Sequence, residues 1–106
     1  TNAYITEFTP LEIALTKIYV GAINPITVTV WAKRDNAGIF GRLILPSNQA
    51  GAPSSDVKTD FVAGPGSYAQ ISITFTPTMS NVVLEVYFRV WGGTTYNFWI
   101  DDVTVT

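Results

Sequence analysis

The sequence predicts an all-β fold: one antiparallel β-sandwich of the jelly-roll kind, with about seven or eight short strands over residues 1–106. Three observations carry this. Apolar and polar side chains alternate at period two along nearly the whole chain. The alternating runs are rich in β-branched and aromatic residues. Turn-forming residues interrupt them at intervals of roughly ten residues. Alternation marks a strand with one face on a core and the other on solvent, because successive side chains of an extended chain point to opposite sides.

In residues 25–33, Ile26, Val28, Val30 and Ala32 share one face, against Thr27, Thr29, Trp31 and Lys33. In residues 68–75, Ala69, Ile71, Ile73 and Phe75 oppose Tyr68, Gln70, Ser72 and Thr74. In residues 82–91, Val82, Leu84, Val86, Phe88 and Val90 oppose Val83, Glu85, Tyr87, Arg89 and Trp91. Residues 2–8, 11–20, 38–45 and 57–62 complete the strand set. Thr16, Ile18, Tyr19 and Val20 argue against a helix in the second of these. Turns fall at Asn24-Pro25, Asn36-Ala37-Gly38, Pro46-Ser47-Asn48, residues 51–55, Gly64-Pro65-Gly66, Pro77-Thr78 and Gly92-Gly93. In the last strand Phe98 and Ile100 share a face, as do Val103 and Val105, but the two pairs are out of phase. Both pairs want the core, so a β-bulge at Asp101-Asp102 is expected to reset the alternation.

Composition excludes more than it selects. The chain has no Cys and no His, which removes disulfides, thiolate and imidazole chemistry, and the usual zinc sites. A net charge of −2 with no basic cluster argues against nucleic acid as a partner. No apolar run approaches the roughly 20 residues of a helical membrane span, and no signal peptide is expected at the start. Charged residues make up only 13%, against roughly 25% in ordinary soluble domains. So low a fraction implies a neutral Thr/Ser/Asn exterior, a surface hidden in an assembly, or both. Residues 2–8 contain neither Lys nor Pro, the usual guards of a free edge, and are expected to form an arm that adds a strand to a neighbour's sheet.

Three segments resemble a known family. ITVTVWAKRDN (residues 26–36), SYAQISITFTPTMSNVVLEVYF (residues 67–88) and YNFWIDDVTVT (residues 96–106) are similar, in that order, to strands of carbohydrate-binding modules with a galactose-binding-like jelly-roll fold. The family opens with an Asn-Gly-Asp-Phe-Glu-like motif that helps to bind a structural calcium; TNAYITEF (residues 1–8) lacks it, and Tyr68 stands where the family has Trp. Modules of this sort also occur in phage virion proteins, and the Thr-rich, Cys-free and His-free style of this chain resembles those.

The candidate carbohydrate-binding residues are Trp31, Glu85, Tyr87, Arg89, Trp91 and Trp99. If the strands that carry them belong to one sheet, aromatic rings can stack on the C–H faces of pyranoses while Arg and Glu bond adjacent hydroxyls. The competing reading is that these aromatics pack under a loop or against another subunit, with Trp99 a lid on the sheet. Asp101 and Asp102 are read either as calcium ligands or, the reading preferred, as bulge carboxylates that accept backbone N–H bonds. No cofactor and no metal site is assigned. Catalysis is not expected: none of Glu7, Glu12, Asp35, Asp56, Asp60, Glu85, Asp101 and Asp102 forms an evident facing acid pair in a cleft.

Two functions follow. The first is a non-catalytic, surface-displayed structural or adhesion module of a virion-like assembly, decoration or fibre type, with glycan binding as a candidate activity. The alternative is a free-standing carbohydrate-binding module of an extracellular polysaccharide-degrading enzyme. The expected partners are other protein subunits, as a homo-oligomer or virion-like assembly, and a glycan; the expected location is a virion or extracellular surface.

Overall fold

A computed structural model describes residues 3–7, 11–92 and 96–106. These form eight strands: β1 (Ala3–Glu7), β2 (Leu11–Val20), β3 (Ile26–Arg34), β4 (Ile39–Leu45), β5 (Val57–Phe61), β6 (Ala69–Phe75), β7 (Val82–Gly92) and β8 (Tyr96–Val105). They build two antiparallel sheets, in the orders β1-β8-β3-β6 and β2-β7-β4-β5. The all-β sandwich expected from the alternation is therefore present. Asn2 and Phe8, the expected ends of the first strand, and Gly93 of the last turn lie outside the described residues.

The inward faces are those the alternation marks. Val28, Val30 and Ala32 of β3, Leu84, Val86, Phe88 and Val90 of β7, and Ile73 and Phe75 of β6 are buried. Phe98 fills the centre, 5.2 Å from the Phe88 ring and 5.3 Å, edge-on, from Phe61. Burying a side chain of this size stabilises the fold by roughly 1.5–3 kcal/mol. Gly41 of β4 faces the same two rings; a Cβ there would lie 2.6 Å from Phe98 Cζ and 2.8 Å from Phe88.

The bulge expected at Asp101-Asp102 is where the phase break placed it. β8 holds one residue more than β3 between the pairs Thr29↔Thr104 and Trp31↔Asp101, and Asp102 takes a φ of 51°. A second bulge is present in β2: Ala14 pairs Tyr87 while Thr16 pairs Val86, leaving Leu15 as the extra residue. It lets Ile13 and Ile18, an odd number of residues apart, both serve the core.

One feature differs from expectation, and a second was not anticipated. β1 is not a free arm: it pairs antiparallel with β8 of its own chain, Ala3 opposite Ile100 through Glu7 opposite Tyr96. Lys33 and Arg34, adjacent in sequence, part company, because pleating turns Arg34 inward to 8% exposure. Arg34 Nε donates to the Ala63 carbonyl and Nη1 to the Ile39 carbonyl, each at 3.0 Å, and the guanidinium lies 5.7 Å from the Phe61 ring. Backbone carbonyls thus meet a cation that burial would otherwise penalise, and they tie the start of β4 to the loop after β5.

Candidate binding face

The strand order divides the candidate residues. Glu85, Tyr87, Arg89 and Trp91 alternate along β7, on the outer face of the sheet β2-β7-β4-β5. Trp31 on β3 and Trp99 on β8 belong to the other sheet and face the opposite side of the molecule. The condition for a single patch, that all these strands share one sheet, is not met: the six residues form two surfaces.

The β7 surface is completed by residues that the sequence reading did not select. Ile39, Gly41 and Leu43 point inward, so Phe40 and Arg42 between them point out. Their alternation was the available signal. Phe40 lies opposite Trp91, with ring centroids 5.8 Å apart and planes at 29°, and Phe40 remains 44% exposed. The Arg42 guanidinium lies 5.1 Å from the Trp91 ring. Its Nε donates to Asp60 Oδ1 at 2.6 Å and its Nη2 to Oδ2 at 3.4 Å, so Asp60 on β5 orients it. The same bond from Arg42 holds the Asp60 carboxyl below its ordinary range.

Across the sheet, Cα pairing sets Glu12, Arg89, Arg42 and Asp60 in one row. Ala14, Tyr87, Ile44 and Lys58 make the next. Among the described residues Arg89 is exposed and forms no hydrogen bond or ion pair. Loss of solvent, followed by the charge of Glu85 and a hydrogen bond with it, raises the Tyr87 phenol above its ordinary value. Glu85 is itself pinned through its backbone. Gln49 Oε1 accepts its N–H at 2.7 Å, and Gln49 Nε2 donates to its carbonyl at 2.9 Å. A loop side chain thus takes the place of a neighbouring strand and fixes the end of the face.

On the opposite surface Trp31 is 40% exposed, with Gln70 and Asp101 as its cross-strand neighbours. Lys33 stands between two rings, its Nζ 4.5 Å from the Trp99 centroid and 5.1 Å from that of Tyr68. The ammonium therefore occupies one side of the Trp99 indole. Asp101 Oδ1 accepts the Asp102 N–H at 2.8 Å, the bulge role expected of it, and no cluster of three or more potential metal ligands occurs among the described residues. No cavity opens on the described surface, so either face would meet a ligand as an open platform.

No family model matches the sequence, and no curated protein does. Among solved structures, the chain is similar to one described as "Family 16 Carbohydrate Binding Module-2", with a TM-score of 0.64 and 11% identity over 97% of this chain and 74% of that one. It is also similar to one described as "CBM4 structure and function", with a TM-score of 0.60 and 21% identity over 99% of this chain and 70% of that one. At these identities the likeness speaks to fold: the chain has the all-β sandwich of such carbohydrate-binding modules.

Proposed function

We propose that the protein is a non-catalytic carbohydrate-binding module, acting at an extracellular surface, whose ligand lies across the outer face of β2-β7-β4-β5. The observation that carries this reading is the continuity of that face. The stacked Trp91 and Phe40 rings adjoin the Arg42–Asp60 pair, the unpaired Arg89, and the Tyr87 and Glu85 side chains. Rings of this kind take the C–H face of a pyranose, and the flanking groups donate to or accept from its hydroxyls. The likeness to solved carbohydrate-binding modules supports the same reading and favours a module of a polysaccharide-degrading enzyme. A virion-like assembly draws no support from these likenesses.

Glycan arrays and affinity electrophoresis in polysaccharide gels test the proposal. Trp91→Ala is expected to weaken retention about tenfold, the equivalent of about 1.4 kcal/mol, while the melting temperature stays close to wild type. Blank arrays for the wild type, or retention unchanged in the variant, would refute it.

A further inference from the structure

The charge on this face points to a narrower ligand class. Arg42 and Arg89 are direct cross-strand neighbours on β4 and β7, two cations side by side at the middle of the sheet. Asp60 engages Arg42 through both carboxylate oxygens. Glu12 lies across from Arg89 on the edge strand β2, yet no ion pair joins the two. Lys17 and Lys58 project from the same face, so four of the chain's six cations gather there. Against them stand Glu12, Asp60 and Glu85 on the face's strands and Asp56 at the rim beside Lys58, so the face is balanced on a chain whose net charge is −2. At the far rim, before β5, Asp56 is occupied by the Ser47 N–H at 2.7 Å. Among the described residues, the Arg89 guanidinium at the centre forms no ion pair and no hydrogen bond.

We infer that Arg89 binds the carboxylate of an acidic sugar, so that the module selects uronate-containing polysaccharides over neutral ones. This rests on the sugar-binding reading and specifies the ligand of the same face. A guanidinium fork matches a carboxylate with two parallel N–H···O bonds, which a hydroxyl cannot supply. The position suits a uronate as well. Trp91 and Arg89 are two residues apart on one face, about 7 Å along the strand, so a sugar ring lying against the exposed Phe40 side of the Phe40–Trp91 pair can direct its exocyclic carboxylate toward Arg89.

The test is affinity electrophoresis and calorimetry on the intact chain with polygalacturonate, alginate and glucuronoxylan. Each is run beside its own carboxyl-reduced form, and neutral β-glucan, xylan and glucomannan are included. At low salt at least one acidic polymer is expected to bind tenfold or more tightly than its reduced counterpart, with the margin shrinking as NaCl rises. Arg89→Gln should erase that margin, so that acidic and reduced polymer bind the variant alike, while leaving the melting temperature unchanged, and Arg89→Lys should retain part of it. Equal binding of acidic and reduced forms, or a margin that survives in Arg89→Gln, overturns the inference and leaves the sugar-binding reading standing. Failure to bind any of these polymers or any array glycan removes both.

Discussion

Single residues in this sandwich are constrained most where the sequence shows least. Gly41 sits in an otherwise ordinary strand, yet its missing Cβ is what lets Phe88 and Phe98 meet above β4. Both rings are fully buried and cannot swing aside. Gly41→Ala is therefore expected to lower stability by about 1–3 kcal/mol through overpacking, read as a fall in the thermal or denaturant midpoint. A midpoint equal to wild type would mean that the rings have room the structure does not show. Arg42 illustrates the same point on the surface. Its residue type suggests an ordinary solvated cation, whereas its place between Trp91 and Asp60 makes it a fixed part of the face.

At the scale of the strand, both bulges solve one problem in two ways. Pleating returns a side chain to the core at every second position, so a core pair separated by an odd number of residues needs one residue left out of the count. β8 removes it with Asp102 in the left-handed region and β2 with Leu15. The β8 bulge was legible, because Phe98 and Ile100 run strictly out of phase with Val103 and Val105. The β2 bulge was not, because Ile13, Leu15 and Ile18 are all apolar and either register looks acceptable until β7 is alongside. Asp102→Val is expected to cost about 1–2 kcal/mol, since a β-branched residue is poorly accommodated at positive φ. Asp102→Gly should be neutral to within about 0.5 kcal/mol, because glycine adopts that φ freely. Equal melting temperatures for the two variants would argue against the bulge conformation.

For the whole molecule, the sandwich separates two aromatic surfaces by the thickness of its core, roughly 10 Å between sheets. Trp91 and Phe40 stand on one side, Trp31, Trp99 and Tyr68 on the other. Substitutions that distant and without shared partners act independently. Trp31→Ala should therefore leave polysaccharide retention within about twofold of wild type under conditions where Trp91→Ala weakens it about tenfold. Equal losses in both variants would mean that the ligand reaches both sides or that the assignment of faces is wrong. Assembly into a homo-oligomer stands as a separate proposal, motivated by the low charged fraction. Within the sandwich β1 pairs with its own β8 and forms the edge of that sheet.

By itself the sequence determined what is local. Period-two alternation assigned the core and solvent sides of β3, β6 and β7, and the phase break located the β8 bulge. The absence of Cys and His excluded whole classes of chemistry. Only the tertiary structure decided which strands are neighbours. Several strands here carry interchangeable Val/Ile/Thr patterns, and a side chain's direction says nothing about the strand that will lie beside it. Trp31 and Trp91 thus read alike in sequence, each a tryptophan on the non-core side of an alternating strand, but pairing sends one to join Gln70 and Asp101 and the other to join Phe40 and Arg42. The arginine left without a carboxylate, on which the ligand preference depends, exists only once β2, β7, β4 and β5 lie side by side.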